Sequence, residues 1–371
     1  MQREVCLTVV VTRLPAATPP GAELYVASNL LGWRPDPSHG RLQRAGDGTW
    51  AVTLTVPAGA RVEYKLTRGS WETVEKGPRG EEVHNRAVQV GEADVAVRLT
   101  VAAWADQITA PPPHHTLTGN VVVIEAFPAP ELGGTRRLWL YLPPGYEASE
   151  QRYPVLYMQD GQNIFDVATS FAGEWEVDES LDTLVREGRL PGLIVVGIDN
   201  AGEARLDEYS PWLDRQLGKG GRGNAYVAFL VDTLKPHVDR TWRTLPDAAH
   251  TGVAGSSMGG LIALVAGLRH PEVFGRIGAF SPTFGFASRM PIRFVRAARA
   301  GVPQRIYLDM GAEETGHPAH DRELVDLTRA AAAALTDGGF EVRLVVDAHG
   351  RHHESSWAAR FPEAATWLFG P

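Results

Sequence analysis

A short segment, Gly255-Ser-Ser-Met-Gly259, constrains the fold of this chain more than any other part of the sequence. An apolar run, residues 252–254, precedes it, and a run suited to a helix, residues 260–268, follows it. Small residues two positions on either side of Ser257 allow a tight strand-to-helix turn, which exposes the serine hydroxyl and directs the helix N-terminus at developing negative charge. Ser256 does not fit this spacing. The segment therefore predicts an α/β fold with Ser257 as a nucleophile.

Such a serine needs a base and an acid that orients the base. In α/β enzymes with this turn, the chain order is serine, acid, histidine. The last apolar strand candidate, residues 342–346, is followed by three histidines: His349, His352 and His353. The strand candidate before it, residues 305–310, is followed by two glutamates: Glu313 and Glu314. Asp309 lies inside that strand, where we expect a structural role, so the residues themselves leave these two glutamates and three histidines open.

The pattern of apolar residues changes near residue 105. Residues 1–105 contain short β-branched runs separated by turns, which predicts a small all-β sandwich. Residues 106–118 include three successive prolines and predict a stiff, extended linker. In residues 119–371, strand candidates alternate with helical runs, which predicts a mostly parallel sheet with helices on both faces. At 371 residues, 44% of them hydrophobic, the chain is large enough for two such cores.

Charge, cysteine content and hydropathy exclude several classes of protein. The formal net charge of −8 gives no global basic field for nucleic acid or anionic membranes. The one cysteine, Cys6, cannot form an intramolecular disulfide, so nothing requires an oxidising compartment. No apolar run approaches the roughly 18 residues that a membrane span needs, and the N-terminus alternates like a strand rather than a signal peptide. We expect no nucleic-acid or membrane partner and a cytoplasmic location, or a secreted protein if the chain was trimmed.

Seven segments occur in an order that resembles one known family. They are Tyr157-Met-Gln-Asp-Gly-Gln-Asn, Val196-Gly-Ile-Asp-Asn, Glu208-Tyr-Ser-Pro, Gly255-Ser-Ser-Met-Gly-Gly-Leu, Phe280-Ser-Pro, Leu308-Asp-Met-Gly and His352-His-Glu-Ser-Ser-Trp. Together they resemble the putative-esterase family of α/β-hydrolases, which includes enterochelin, feruloyl and acetylxylan esterases, S-formylglutathione hydrolases and mycolyltransferases. The resemblance covers roughly residues 119–370. It implies an α/β-hydrolase fold and a serine carboxylic-ester hydrolase that forms an acyl-enzyme intermediate.

The resemblance also implies a role for particular residues. Ser257 matches the nucleophile, Glu314 the acid three residues after a strand-ending glycine, and His352 the histidine five residues before a tryptophan. The backbone N–H groups of Met258 and Gln162 match the oxyanion hole. The acid is a glutamate here, where many relatives have aspartate.

Residues 24–90 resemble starch- and glycogen-binding modules, which are small β-sandwiches in which two tryptophans, a lysine and an asparagine contact glucose. The segments that carry this resemblance are Leu31-Gly-Trp, Gly48-Thr-Trp, Glu63-Tyr-Lys, Trp71-Glu and Asn85-Arg. The matching residues are Trp33, Trp71, Lys65 and Asn85. If they bind glucan, both indoles should face solvent, because an indole stacks on a pyranose only when it is uncovered. Enterochelin esterases also have an N-terminal β domain, which helps to shape the substrate entrance, so a lid is the alternative role.

Three functions from different classes fit these features. The first is hydrolysis of a small-molecule or glycan ester, possible substrates being siderophore or carbohydrate-linked esters. The second is acyl transfer at the same site, and the third is a noncatalytic carbohydrate-binding protein. No metal or other cofactor is expected, because neither the histidines after the last strand nor the segment His317-Pro-Ala-His-Asp has the HExxH spacing of a zinc protease.

Overall fold

The computed structural model describes residues 3–78, 80–108 and 114–370, and the chain forms two compact units. The first consists of Met1–Pro112 with Gln216–Gly218, and the second of Pro113–Arg215 with Lys219–Pro371. Residues 109–113 of the expected linker lie outside the described residues. Of the helices in the described ranges, none is long and apolar enough to cross a membrane.

The first unit is built from short strands, as the sequence predicts. Its described strands are β1 (Glu4–Arg13), β2 (Tyr25–Ser28), β3 (Gln43–Arg44), β4 (Trp50–Pro57), β5 (Arg61–Thr67), β6 (Glu75–Lys76), β7 (Arg86–Gln89), β8 (Val95–Thr100) and β9 (Ala103–Trp104). They form sheets in the orders β3-β4-β1-β8, β2-β5-β7 and β6-β9. Buried side chains alternate along the strands and bring the two larger sheets onto one core, including Leu7, Val9, Leu54, Tyr64 and Leu66. The prediction of an all-β sandwich is confirmed.

The second unit contains a sheet of eight strands within the described residues. Its strands are β10 (Asn120–Ala129), β11 (Gly134–Leu142), β12 (Val155–Gln159), β13 (Ile194–Ile198), β16 (Thr251–Ser256), β17 (Arg276–Phe280), β18 (Arg305–Gly311) and β19 (Glu341–Asp347), with a separate hairpin of β14 (Leu213–Asp214) and β15 (Lys219–Gly220). The order is β10-β11-β13-β12-β16-β17-β18-β19, antiparallel from β10 to β13 and parallel onward. This is the α/β-hydrolase sheet that the resemblance implies.

Helices cover both faces of this sheet. They are α1 (Val177–Arg186), α2 (Arg205–Glu208), α3 (Gly223–Ala228), α4 (Lys235–Thr241), α5 (Met258–Arg269), α6 (Phe286–Ala297), α7 (Pro318–Asp337) and α8 (Glu354–Phe369). Neighbouring residues of β17 identify the two faces: a Cβ atom on Gly278 would contact Leu368 of α8, whereas Ile277 lies against Gly267 of α5. Since successive side chains of a strand point to opposite faces, α8 and α5 lie on opposite sides of the sheet. Because the strands from β13 to β19 in the sheet order run parallel, their carboxyl ends all lie at one edge of the sheet. The polar loops lie at that edge.

Candidate active site

Ser257 lies in a sharp turn between β16 and α5. Every residue of β16 is buried, including Ser256 at its end, whereas Ser257 is half-buried. Its backbone has φ 57° and ψ −120°, a combination that costs a non-glycine residue on the order of 1–3 kcal/mol and persists only where the surroundings impose it. Such a turn raises a nucleophilic serine above the edge of the sheet. Of the two adjacent serines, Ser257 is the more accessible.

Tight packing imposes this turn. A Cβ atom on Gly255 would lie 2.8 Å from the carbonyl carbon of Gly259, in the first turn of α5, and 2.9 Å from Gln159 Oε1 at the end of β12. A real Cβ atom does not approach so closely, so only glycine allows α5 to begin directly above the strand. The hydroxyl of Ser257 lies 3.3 Å from that of Thr283, which follows β17. The carboxyl ends of β12, β16 and β17 therefore meet around Ser257.

Glu314 lies in the loop after β18, and its side chain is fully buried. Its Oε2 atom is 2.5 Å from His352 Nδ1, while Oε1 accepts hydrogen bonds from Ser281 Oγ at 2.6 Å and from Gly311 N at 2.7 Å. Burial alone would raise the pKa of Glu314. The hydrogen bond and charge of His352, together with the bonds from Ser281 and Gly311, outweigh burial and hold that pKa below its usual value. Glu314 is therefore an ionised carboxylate at neutral pH.

His352 lies in the loop between β19 and α8, and its side chain is 42% exposed. An ionised carboxylate only accepts hydrogen bonds, so the proton of the neutral His352 ring belongs on Nδ1, facing Glu314. This leaves the Nε2 lone pair available as a base. The indole of Trp357 packs edge-on against the imidazole, with 5.0 Å between the ring centroids. Together, Glu314 and Trp357 fix both the tautomer and the orientation of the ring.

The neighbouring candidates have other contacts. His353 Nδ1 accepts a hydrogen bond from Ser355 N at 3.1 Å, which caps the N-terminus of α8. His349 is 89% exposed and lies 3.4 Å from Glu313 Oε1, whose own side chain is 45% exposed. Among the two glutamates and three histidines that the residues left open, the buried acid–histidine pair is thus Glu314 with His352. Their catalytic roles stay a prediction.

A buried network behind Glu314 was not indicated by the sequence. Ser281 Oγ accepts hydrogen bonds from Trp357 Nε1 at 3.0 Å and from Arg360 Nη2 at 3.2 Å, in addition to its bond to Glu314. Arg360 Nε donates to Asp309 Oδ2 at 2.8 Å, and Asp309 Oδ1 accepts from Ser281 N at 2.9 Å. Burial raises the pKa of Asp309 to about 6, although Arg360 opposes this. The position of Ser281 in the Phe280-Ser-Pro segment is the one signal that could have suggested a role for it.

The expected oxyanion-hole residues, Met258 and Gln162, both occupy the first turn of a helix. Met258 is the first residue of α5, and Gln162 is in the middle of the 3-10 helix Gly161–Asn163, which follows β12. Backbone N–H groups in these positions have no acceptor inside their own helix, so they are available to a ligand. A Cβ atom on Gly259 would lie 3.2 Å from Asp160 Oδ2, so the loop after β12 packs against the start of α5. Their role as oxyanion donors stays a prediction.

Asp160 ties this loop to the rest of the edge. It has a left-handed backbone, with φ 60°, and is 7% exposed. Its carboxylate accepts from Asn200 Nδ2 at 2.7 Å and from Arg205 at 2.7 Å (Nε) and 2.8 Å (Nη2). The Arg205 guanidinium stacks over the Tyr209 ring at 5.1 Å. These contacts give the Asp160-Gly-Gln segment a fixed backbone, as preorganised N–H donors need.

One cluster of carboxylates lies at the start of α1. Within the described ranges, the residues close enough to share a metal ion are Glu174, Asp178 and Glu179, with one oxygen of each within 4.8 Å of the others. Burial and the neighbouring Asp178 raise the pKa of Glu179 to about 8. Asp178 and Glu179 can therefore share a proton at neutral pH, and this proton accounts for their proximity. The expectation that the protein needs no metal stays a prediction.

The two tryptophans expected to bind glucan lie in loops of the first unit. Trp33 follows β2 and Trp71 follows β5, and both residues are half-buried rather than fully exposed. Thr67 Oγ1, at the end of β5, donates a hydrogen bond to Pro35 O at 2.5 Å. This bond holds the loop of Trp33 next to the strand end that leads into Trp71.

The lysine and the asparagine of the expected sugar site are neighbours. Lys65 on β5 lies beside the start of β7, because Tyr64 pairs with Arg86, and the next position along that register is Asn85. Asn85 is exposed. Lys65 Nζ is 3.3 Å from Glu82 Oε2, and burial lowers the pKa of the ammonium group. Whether these four residues bind sugar stays a prediction.

Comparison with known proteins assigns the second unit to a family. Residues 129–368, well over half of the chain, match the family described as "Putative esterase". The uncharacterized protein YbbA of Bacillus subtilis (strain 168) is 29% identical over 246 residues, which are 64% of this chain and 94% of YbbA. An α-amylase of Niallia circulans is 41% identical over 95 residues, which are 25% of this chain and only 7% of the amylase.

The fold is shared with solved esterase structures. The ferric enterobactin esterase of Salmonella typhimurium superposes with a TM-score of 0.54 and 20% identity, over 93% of this chain and 88% of that enzyme. At this identity the likeness concerns the fold alone. The family match, by contrast, takes in the chain from the last residue of β10 through nearly all of α8, and so every loop at the candidate active site. The chain therefore belongs to the putative esterase family and is a carboxylic-ester hydrolase.

Proposed function

We propose that the protein hydrolyses carboxylic esters with Ser257 as the nucleophile, His352 as the general base and Glu314 as the acid that orients His352. The observation that carries this proposal is the 2.5 Å hydrogen bond between buried Glu314 and half-exposed His352. Both residues follow parallel strands at the edge where Ser257 turns outward, which is the edge at which α/β sheets bind their ligands. The chain order, Ser257 before Glu314 before His352, supports the same assignment.

The reaction follows from these groups. Nε2 of His352 removes the proton from Ser257 Oγ as that oxygen attacks the ester carbonyl carbon. The charge that develops on the imidazolium is stabilised by ionised Glu314, which itself stays unprotonated. His352 then donates the proton to the leaving alcohol, and an acyl-enzyme remains on Ser257. Water repeats these steps on the acyl group and releases the free acid.

Two backbone donors complete the proposed site. The N–H groups of Met258 and Gln162 stabilise the negative oxygen of each tetrahedral intermediate. Losing one such donor typically costs about 10²–10³ in turnover. The rigid contacts of Asp160 with Asn200 and Arg205 support this role of Gln162, because a donor must be in place before charge develops.

Labelling with a fluorophosphonate tests the assignment of the nucleophile. Ser257→Ala should abolish both labelling and ester hydrolysis, with a loss in turnover on the order of 10⁴–10⁶. Ser256→Ala is the matched control, since the adjacent hydroxyl is buried at the end of β16, and it should keep much of both activities. Labelling that persists on the Ser257→Ala protein would contradict the proposal.

We also propose that the first unit binds an α-glucan and directs the esterase to carbohydrate-linked esters. The amylase likeness extends over 95 residues, a length close to that of the first unit, which lies outside the esterase match at residues 129–368. The linked loops of Trp33 and Trp71, together with adjacent Lys65 and Asn85, support a sugar-binding surface. A lid for bulky esters is the alternative.

Retention of the whole protein on immobilised amylopectin separates these two roles. Trp33→Ala and Trp71→Ala should each weaken retention about tenfold or more, since stacking on the pyranose face is lost. Val123→Ala, an exposed apolar residue of β10, is the control and should be retained like the wild type. If the tryptophan variants bind amylopectin normally and instead change KM for bulky esters, the unit is a lid.

A further inference from the structure

One aromatic side chain near the candidate active site is largely open to solvent. Phe171 is 61% exposed, and among the described residues it is the most exposed of the large hydrophobic side chains and the one aromatic ring in that group. Val167, four residues before it, is also exposed. A single exposed apolar side chain needs no explanation by itself, so the case for a role of Phe171 depends on where its segment lies.

The backbone of Phe171 is tied to the loop that contains Gln162. Phe171 N donates to Asn163 Oδ1 at 3.0 Å, and Thr169 Oγ1 donates to Gln162 O at 2.8 Å. Asn163 is 8% exposed, so its side chain is held inside the protein. Phe171 therefore belongs to a segment that is hydrogen-bonded to Gln162, a proposed oxyanion donor, and to its neighbour Asn163.

The same segment is also tied to the loop of the proposed base. Asn163 Nδ2 donates to Glu354 Oε1 at 3.2 Å, two residues after His352. A Cβ atom on Gly173 would lie 3.2 Å from Cε1 of His353 and 3.4 Å from Cβ of Glu354. Gly173 therefore contacts the loop of His352. Phe171 is two residues from Gly173, so its Cα atom lies within about 7 Å of the Cα atom of Gly173.

Further along, Trp175 anchors the segment in the core. Its backbone N–H donates to Asn163 O at 2.9 Å. Its indole packs against that of Trp357, the residue that orients His352, with 5.6 Å between the ring centroids. The contacts of Phe171 and Trp175 with Asn163 lead to the oxyanion loop, and Gly173 lies against the histidine loop, while Val167 and Glu174 are bound to Thr116. Phe171 thus belongs to a segment that contacts both of the loops between which the proposed site places the ester.

We propose that Phe171 is a specificity-determining residue that stacks on an aromatic ring of the ester substrate. The inference rests on the proposed function, since it takes the bound ester to lie between Met258, Gln162 and His352. Offset or edge-on packing of two rings contributes about 0.5–1.5 kcal/mol beyond simple burial, which corresponds to a two- to tenfold preference for an aryl ester. The ring would lie on the acyl or on the alcohol side of the ester, and substrates distinguish the two.

The test measures kcat and KM for two pairs of esters. Methyl 3-phenylpropanoate against methyl butanoate probes the acyl side, and benzyl acetate against butyl acetate probes the alcohol side. In the wild type, we expect kcat/KM to favour the aryl member of one pair. Phe171→Ala should lower this aryl-to-alkyl ratio two- to tenfold, mainly through KM, whereas Phe171→Tyr should restore it and Phe171→Leu should give an intermediate value.

Val302→Ala provides the matched control, because Val302 is also exposed but precedes β18, at the opposite edge of the sheet. Its ratio should equal that of the wild type. An unchanged ratio for Phe171→Ala in both pairs would overturn the inference, as would a shift in oligomeric state without a change in ratio, which would make Phe171 a contact between copies. Neither result bears on the nucleophile, whereas fluorophosphonate labelling that survives Ser257→Ala would sink the proposed function itself.

Discussion

Glu314 and Glu179 are two carboxylates of the same unit, yet their pKa values are shifted in opposite directions. Burial raises the pKa of each group. Around Glu314, a histidine, a serine hydroxyl and a backbone N–H all donate hydrogen bonds to the carboxylate, and its pKa falls. Around Glu179, the neighbours are two further acids, Asp178 and Glu174, and the pKa rises to about 8.

This difference shows that donors, rather than depth, decide the charge of a carboxylate at these two places. Glu314 has the more deeply buried side chain, but it stays ionised because each of its oxygens has a donor. A buried carboxylate that lies among other acids holds a proton instead, and in that state it cannot stabilise an imidazolium. The donors around Glu314 are therefore the part of the site on which catalysis should depend most.

Glu314→Gln should have the largest effect. The neutral amide can donate as well as accept, so it no longer fixes the His352 proton on Nδ1, and we expect kcat to fall about 10³–10⁴-fold. Glu313→Gln is the matched control, since that half-exposed side chain contacts His349 and Arg351 at the surface, and its kcat should change about twofold or less. Steady-state kinetics with one short-chain ester measures both variants. The reverse ranking would mean that Glu313 is the acid.

Ser281→Ala should have an intermediate effect. It removes the 2.6 Å hydrogen bond to Glu314 and leaves the N–H donors of Trp357 and Arg360 without their shared acceptor. A hydrogen bond to a charged group is worth about 1.5–3 kcal/mol, so we expect kcat to fall at least tenfold and the Tm to drop.

Ser149→Ala controls for the loss of a hydroxyl as such. Ser149 precedes β12 at the opposite edge of the sheet, where its Oγ lies 3.2 Å from the Tyr153 hydroxyl. Its kcat should equal that of the wild type. If Ser281→Ala lowers the Tm but leaves kcat unchanged, the network supports the fold and not the charge of Glu314.

Glu179→Gln should have the smallest effect, and it concerns stability alone. The pKa of Glu179 is about 8 in the folded protein and lies near 4.5 for an unperturbed glutamate. Between these values the folded state binds more protons than the unfolded state, so the free energy of unfolding of the wild type falls as the pH rises. A glutamine stays neutral, and the variant should therefore lose less stability between pH 5 and pH 8.

Urea unfolding at pH 5 and pH 8 measures this difference. Glu176→Gln, an exposed residue of the same segment that lies outside the cluster, should follow the wild type at both pH values. A Glu179→Gln protein with the same pH dependence as the wild type would show that Glu179 does not hold the proton.

Much of the fold could be predicted from local pattern. The strand predicted over residues 305–310 ends one residue before β18 does, and the strand predicted over residues 342–346 lies within β19. The π-helix Phe229–Leu234, between α3 and α4, could not be predicted, because a shift in backbone hydrogen bonding leaves little trace in the spacing of apolar residues. In α8 the buried residues Trp357, Phe361, Ala364 and Leu368 recur at helical spacing, but Pro362 lies inside the helix and weakens this pattern as a sign of a helix.

The sequence by itself predicted the chemistry and the chain order of the residues proposed for it. Ser257 requires small residues at fixed spacing, and the glutamates and histidines follow it in the order that this chemistry uses. The tertiary structure decided which of the adjacent side chains meet. Glu314 faces His352, while Glu313 reaches the surface and His353 caps α8. A loop has no regular period, so the sequence does not indicate which of two adjacent side chains points inward. Ser281, Arg360 and Asp309 lie tens of residues apart in the chain. The tertiary structure brings them together where β17, β18 and α8 pack.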